Sequence, residues 1–433
     1  MSHRPPAFRE ILLVLAATSV LTAPVIAQTT PARVPPDSLL AYSGIFRLGR
    51  GHDVAISPFR TPAGWGLLLS DVGTDQLRFL TSAGPDAFTS GAELTRPTPI
   101  EWRLQFGRAG STITSLSVAP EGSSVSWTAS RVPLDAVPVS FANGGIVLKG
   151  FVYRPKNPTR DLPLIALAHG SEESDRYSFG PIPLVLASRG FAVLAYDKRG
   201  TGLSSGDWKS VGLEEYADDL VAGIRASIAG GGIDTSRIAV LGLSEGGWVA
   251  PLASSRFPAI RAIAAISGGA RTKGDAYVHK VRRAGEASGL SPAGVDSAAR
   301  AAQQFVQAAT ERVRLKESPT GLDRRLAYDP TKDWRQFKGP VLYMGGEADV
   351  LESGPLAADW FRQISVEAGN ADVTIRLWPR THHSLILGVT GEPSEFQTFR
   401  GIKQLAPGYW DVLIGWLDRY VRALASTPTP RGG

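Results

Sequence analysis

From about residue 138 onward, the sequence alternates short, continuous apolar runs with stretches of helical character, and this alternation restricts the possible folds. Strands that are apolar on both faces are typical of a parallel sheet buried between helices. A helix is expected at Tyr216–Ala229, where apolar residues recur at helical spacing. The candidate strands are Leu164–Ala168, Ala192–Tyr196, Ile238–Leu243, Ala262–Ser267, Val341–Met344 and Val373–Trp378. We therefore expect an α/β domain with a mostly parallel sheet and helices on both sides.

The preceding stretch, from Tyr42 to about Arg131, has a different pattern, in which apolar and polar residues alternate. Segments such as Glu101–Phe106 are separated at short intervals by clusters of Gly, Pro, Asp and Ser. Short alternating segments with frequent turns are typical of a small antiparallel barrel or sandwich. We assign residues 42–135 to this β domain and residues 136–424 to the α/β domain.

One part of the α/β domain contains no strand pattern. The stretch at about 274–329 is rich in Ala, Arg and Gln, with helical sequence such as Ser297–Lys316. It is too long for an ordinary connection between a strand and a helix. We expect a helical cap insertion that covers the carboxyl edge of the sheet, where ligands bind in such folds.

The N-terminus has the features of a secretory signal peptide at residues 1–27. Arg4 and Arg9 precede the apolar run Ile11–Val20, and small residues surround a cleavage site after Ala27. The run is short for a membrane span, although an uncleaved anchor is the alternative. We therefore expect a periplasmic or secreted protein without a membrane span after cleavage.

Composition excludes several kinds of site. The sequence has no cysteine, so disulfides, thiolate metal sites and a cysteine nucleophile are ruled out. The formal net charge is +6, but Lys and Arg are spread along the chain, so no nucleic-acid partner is expected. The Pro-rich, polar stretch 28–41 is interpreted as a flexible leader and residues 425–433 as a disordered tail.

The motif Gly242-Leu243-Ser244-Glu245-Gly246 carries the strongest chemical signal. It follows the candidate strand Ile238–Leu243 and precedes an apolar stretch, Trp248–Ala253, that fits a helix. A tight turn between strand and helix exposes its central serine, and its sterics require glycine on both sides. The amides at the start of the helix favour negative charge at the same place. Ser244 is therefore the predicted nucleophile.

A serine nucleophile needs a base, and the base needs an acid that orients it. Where serine occupies such a turn, the acid and then the histidine follow it in the chain. His279 lies in the expected insertion, whereas His382 and His383 follow the last candidate strand. We predict His383 as the base and keep His382 as the alternative. A metal site at the pair is disfavoured because no nearby His or Cys completes a ligand set.

The acid is expected after the strand Val341–Met344. Asp349 lies one loop beyond that strand and is the predicted acid. Glu347 and Glu352 are the alternatives.

Two backbone N–H groups must stabilise the oxyanion. One is expected from Glu245, directly after the nucleophile, and the other from Ser171, with Gly170 as the alternative. His169 precedes them in the same loop. Its place in the chain order does not suit a base, so we expect its imidazole to hold that loop in place.

A glycine-rich stretch, Asp197–Ser204, follows another candidate strand. It lacks the spacing and the Gly-Lys-Ser/Thr sequence of a phosphate-binding loop, so nucleotide binding is not expected. We expect a structural turn in which Asp197 pairs with Arg199.

Together these motifs resemble those of α/β-hydrolases, in the same order along the chain. They cover about residues 136–424 and are similar to bacterial exported serine esterases of the dienelactone-hydrolase and serine-aminopeptidase-like group, which often carry a small N-terminal β module. The double histidine departs from the family pattern. The resemblance implies Ser244, Asp349 and His383 as triad and Glu245 and Ser171 as oxyanion donors. The motifs are His169-Gly170, Asp197-x-Arg199-Gly200-x-Gly202-x-Ser204, Gly242-x-Ser244-Glu245-Gly246-Gly247, Gly346-x-x-Asp349 and His383.

The expected function is hydrolysis of carboxylic esters through an acyl-enzyme, with a small-molecule acyl substrate and no cofactor or metal. The first alternative is a peptidase or amidase with the same triad, acting on a short peptide or amide. The N-terminal module is too short for the propeller of prolyl-oligopeptidase-like enzymes. The second alternative is a non-catalytic binding protein on a hydrolase scaffold. The acyl group, the leaving group and the oligomeric state are not specified by the sequence.

Overall fold

The computed structural model describes residues 34–49, 52–61, 64–91, 98–392, 395 and 401–422. The expected signal peptide and C-terminal tail lie outside the described residues. Within the expected leader, the described part contains one short helix, α1 (Asp37–Leu40).

The N-terminal β strands form a closed, eight-stranded antiparallel barrel. Closure comes from pairing of the first strand with the last, in which Phe46 lies opposite Arg131. Side chains such as Phe46, Leu104 and Leu116 fill the interior, as the alternating pattern requires. The barrel strands are β1 (Gly44–Leu48), β2 (His52–Thr61), β3 (Gly64–Asp71), β4 (Leu77–Gly84), β5 (Ala87–Gly91), β6 (Ile100–Ala109), β7 (Thr112–Pro120) and β8 (Trp127–Arg131).

A second, eight-stranded sheet forms the centre of the α/β domain, in the order β16-β15-β14-β13-β11-β12-β10-β9. Strands β11 to β16 are parallel, whereas β9 and β10 form an antiparallel hairpin at one edge. Gly144 and Gly145 have φ values of 54° and 84° in its turn, which favours glycine. The strands are β9 (Leu134–Asn143), β10 (Ile146–Pro155), β11 (Leu162–Ala168), β12 (Ala192–Tyr196), β13 (Ile233–Leu243), β14 (Ile260–Ile266), β15 (Val341–Gly346) and β16 (Val373–Trp378).

Helices cover both faces of this sheet, which confirms the predicted fold class. On one face Val240 packs in a core with Leu220, and on the other Leu241 packs in a core with Trp410. No helix within the described ranges combines the length and apolar character needed to span a bilayer. The helices are α2 (Ile182–Ser188), α3 (Leu213–Ala229), α4 (Gly246–Arg256), α5 (Lys273–Ala287), α6 (Pro292–Leu315), α7 (Gly321–Leu326), α8 (Thr331–Gln336), α9 (Gly354–Ala368) and α10 (Tyr409–Leu417).

The connection from β14 to β15 consists of helices α5 to α8 and contains no strand. Lys273, at the start of α5, lies 3.3 Å from the carboxylate of Glu245, next to the predicted nucleophile. Arg325, in α7, lies 3.9 Å from the same carboxylate. The insertion therefore reaches the carboxyl edge of the sheet beside Ser244.

The barrel contacts the α/β domain through the C-terminal segment of the chain. The N–H of Leu405 donates to the carbonyl of Asp75 in the barrel, at 2.8 Å. The next residue, Ala406, donates to the carbonyl of Leu385 at 2.8 Å. Leu385 is two residues beyond His383, so backbone hydrogen bonds connect the barrel to the loop of the predicted base.

Candidate active site

Ser244 occupies a tight turn between β13 and α4. Its φ is +50°, a left-handed conformation that is rare for residues other than glycine. A side chain at Gly242 would put Cβ 2.3 Å from the carbonyl oxygen of Gly246. A side chain at Gly246 would put Cβ 2.2 Å from the carbonyl oxygen of Ala168. Both glycines of the motif are therefore required by close backbone approach.

Backbone hydrogen bonds hold the turn on both sides. The N–H of Ser244 donates to the carbonyl of Ile266 at 2.8 Å, and its carbonyl accepts from Gly247 at 2.9 Å. Gly268 packs against the same peptide, since a Cβ there would lie 2.1 Å from the Ser244 carbonyl oxygen. Ser244 is partly exposed and lies at the N-terminus of α4, where the helix dipole favours negative charge.

The structure brings Asp349 and His383 together. His383 Nδ1 lies 2.7 Å from Asp349 Oδ2. The side chain of Asp349 is 1% exposed, and its Oδ1 accepts from the N–H groups of Leu351 and Glu352 at 2.8 and 3.0 Å. An ionised carboxylate only accepts hydrogen bonds, so Nδ1–H donates and Nε2 carries the lone pair needed by a base.

The remaining candidates for base and acid are placed differently. Burial lowers the pKa of His382 to about 4, so its ring is neutral at pH 7. Glu347 is exposed. Burial, with Asp349 nearby, raises the pKa of Glu352 well above its usual range, which disfavours its charged form. Among the described residues, no hydrogen bond joins the Ser244 hydroxyl to His383; such bonds often tighten only when substrate binds.

The two predicted oxyanion donors come from loops that meet at the turn. Within the described ranges, the N–H groups of Glu245 and Ser171 donate to no other residue. Gly170 lies against the nucleophile, because a Cβ there would be 3.6 Å from Ser244 Cβ. Both N–H groups can therefore donate hydrogen bonds to an oxyanion.

His169 holds this loop against the sheet, in keeping with the interpretation of the sequence. Its Nε2 lies 2.6 Å from the carbonyl oxygen of Tyr196, and its ring packs on Phe179 and Tyr196. Burial lowers the pKa of His169 to about 3, so the neutral ring donates this hydrogen bond.

The expected pairing of Asp197 with Arg199 is wrong. Asp197 instead accepts two hydrogen bonds from the guanidinium of Arg176, at 2.8 and 2.6 Å. Arg199 pairs with Asp219 of α3, at 2.7 Å in both contacts. The two side chains therefore have different buried partners, which lie in different parts of the chain.

A buried charge cluster beside the nucleophile was not predicted from the sequence. The Glu245 side chain is 1% exposed and faces Lys273 at 3.3 Å, Lys198 at 3.5 Å and Arg325 at 3.9 Å. Burial raises the pKa of Glu245, but the three cations outweigh it, and the net pKa is lowered. The cations come from separate segments, so no local motif could have signalled the cluster.

For a metal ion, the described residues offer no group of three or more His, Asp and Glu side chains.

Two solved structures are similar to this chain. An esterase of Pyrococcus furiosus is 18% identical, with a TM-score of 0.44, covering 67% of this chain and 92% of that chain. An acylaminoacyl peptidase of Pyrococcus horikoshii is 12% identical, with a TM-score of 0.48, covering 89% of this chain and 57% of that chain.

Sequence comparisons identify one relative and one protein family. The chain is 33% identical over 92 residues to dipeptidyl aminopeptidase BIII of Pseudoxanthomonas mexicana, a match to 20% of this chain and only 13% of that protein. The model of the alpha/beta hydrolase family matches residues 165–396, which is more than half of the chain. The region includes Ser244, Asp349 and His383. The chain is thus a hydrolase that belongs to the alpha/beta hydrolase family.

Proposed function

We propose that the protein is a serine hydrolase that cleaves carboxylic esters through Ser244, His383 and Asp349. The observation that carries this proposal is the 2.7 Å hydrogen bond between Asp349 and His383, on loops at the strand edge where the strained Ser244 turn lies. Residues far apart in sequence supply these groups in the order serine, acid, histidine. This combination is the one that nucleophilic catalysis by serine requires, and folding alone does not require it.

In the proposed mechanism, Ser244 Oγ attacks the acyl carbonyl while His383 Nε2 takes its proton. The tetrahedral oxyanion receives hydrogen bonds from the N–H groups of Glu245 and Ser171. His383 then protonates the leaving alcohol. Water attacks the acyl-enzyme while His383 takes its proton, and His383 returns that proton to Ser244 Oγ as the carboxylic acid leaves. Asp349 holds the imidazole in the required tautomer and stabilises its protonated form.

A peptidase is the second candidate, because the local sequence match is to a dipeptidyl aminopeptidase. The charge around the nucleophile favours the esterase. Lys198, Lys273 and Arg325 face the single carboxylate of Glu245, so the local charge is positive. Such surroundings stabilise an oxyanion and disfavour the ammonium group of a free peptide N-terminus.

The test is a comparison of p-nitrophenyl acyl esters with aminoacyl p-nitroanilides as substrates. We expect ester turnover by the wild type, no turnover by Ser244→Ala and unchanged turnover by the control Ser255→Ala. Ser255 lies in the same helix, where its hydroxyl donates to the carbonyl of Leu252. Preference for the anilides would favour the peptidase, and equal turnover by Ser244→Ala would contradict the proposed nucleophile.

We also propose that the protein is exported to the periplasm or the exterior. This rests on the residues of the signal-peptide pattern, Arg4, Arg9 and Ile11–Val20. N-terminal sequencing of the mature protein should begin at Gln28. Recovery of an intact N-terminus from the cytoplasm would contradict the proposal.

A further inference from the structure

Lys198 is a buried cation at the carboxyl end of β12 that the mechanism above does not use. Its side chain is 3% exposed. Its Nζ donates to the carbonyl oxygen of Gly170 at 2.8 Å. On its other side, Nζ lies 3.5 Å from Glu245 Oε2. One ammonium group thus contacts Glu245, which supplies one predicted oxyanion donor, and Gly170, which directly precedes the other donor.

The contact with Gly170 bears directly on an oxyanion donor. The carbonyl of Gly170 and the N–H of Ser171 belong to one peptide group, which is planar. Holding the carbonyl in place therefore also sets the direction of the N–H, which points the opposite way within that plane. Glu245, the second partner of Lys198, supplies the other donor from its own backbone.

We propose that Lys198 is a positioning residue that holds the two oxyanion donors, Ser171 N–H and Glu245 N–H, at a fixed separation. The inference rests on the proposed function, since it assigns Lys198 a part in that site. The lysine does not touch the substrate in this account. It acts through the Gly170–Ser171 peptide and the Glu245 side chain.

The surroundings of Lys198 hold its ammonium group in one position. Nζ lies 4.3 Å from the ring centroid of Tyr216 and 5.1 Å from that of Trp208, within the range of cation–π attraction. Burial lowers the pKa of Lys198 to about 8, with Glu245 opposing the shift and Arg325 adding to it. The ammonium form still predominates at pH 7, so it can contact both partners at once.

The test replaces Lys198 with methionine, which has a similar length but no donor. We expect kcat for p-nitrophenyl esters to fall about 100-fold, since a displacement of about 1 Å has such an effect. KM should change little, because ground-state binding does not use the oxyanion donors. Lys209→Met is the control, because Lys209 also faces the Trp208 ring, at 5.4 Å, but is exposed.

A trifluoromethyl ketone provides a readout that a purely structural role would not change. It forms a tetrahedral adduct on serine whose oxyanion needs both donors, so its inhibition constant should rise in parallel with the loss of kcat/KM. If Lys198→Met does not fold, Lys198→Arg replaces it. Arginine keeps the charge, but its planar fork changes the donor geometry, and kcat should fall by about tenfold.

The outcomes separate this inference from the proposed function. Full kcat and an unchanged inhibition constant, in whichever of the two variants folds, would overturn the role of Lys198 while leaving the esterase intact. A folded wild type that neither turns over esters nor reacts at Ser244 with a fluorophosphonate would remove the proposed function itself. Loss of kcat with KM and folding retained supports the positioning role.

Discussion

The substitution Gly246→Ala tests the steric argument for the turn that carries the nucleophile. The added Cβ would lie 2.2 Å from the carbonyl oxygen and 2.7 Å from the carbonyl carbon of Ala168. Ala168 is fully buried and ends a central strand, so its backbone has no free space to move into. Overpacking of this kind costs about 1–3 kcal/mol of unfolding free energy. For a domain of this size, with an unfolding entropy of roughly 0.6 kcal/mol/K, that corresponds to a Tm lower by roughly 2–5 °C.

The Gly246→Ala variant should lose kcat in addition to the loss of Tm. Relief of the clash must separate α4 from β11. It would also move Ser244 away from the Gly170 loop, where an added Cβ would lie 3.6 Å from Ser244 Cβ. A displacement of about 1 Å at reacting groups lowers kcat about 100-fold. The assay is p-nitrophenyl ester turnover together with thermal unfolding followed by circular dichroism.

Gly415→Ala is the matched control, because a Cβ at Gly415 in α10 would meet nothing within 4 Å. Replacing a helix-interior glycine by alanine should raise stability by about 0.5–1 kcal/mol and leave kcat unchanged. A Gly246→Ala protein with wild-type Tm and kcat would refute the steric account of the motif.

Two further predictions concern contacts between distant segments. Asp75 of the barrel accepts hydrogen bonds from the N–H groups of Gly408 and Trp410, at 2.7 and 3.4 Å, at the start of α10. Asp75→Ala should therefore lower the unfolding free energy by about 1–2 kcal/mol, as for loss of a helix cap, and chemical denaturation that gives no change would contradict this. Arg199→Ala should destabilise by about 3–5 kcal/mol, because it leaves the buried Asp219 carboxylate without its cation. Arg199→Lys should restore part of that loss in the same measurement, and equal stability of all three proteins would rule the argument out.

The architecture of the α/β domain could be predicted because its signals are local. Buried parallel strands are apolar throughout, and glycine on both sides of Ser244 reflects a turn that forms within a few residues. The order of elements along the chain then places Asp349 and His383 at the same sheet edge. The preference for His383 over His382 stays a prediction, although His383 is the ring that contacts Asp349.

The contacts missed by the sequence analysis join residues that no local pattern links. A period of two predicts strands but does not decide between a barrel and a sandwich, which depends on pairing of β1 with β8. Asp197 and Arg199 were expected to pair because they are neighbours, yet Arg176 and Asp219 compete for them. The cations around Glu245 converge only after the cap helices and β12 are in place.

The most direct test of the central claim is to label the purified protein with a fluorophosphonate and map the modified peptide. We expect the label on Ser244, lost in His383→Ala and retained in His382→Ala, because the ring of His383 is hydrogen-bonded to Asp349. Absence of label from folded wild-type protein, or labelling that depends on His382 and not on His383, would contradict the account.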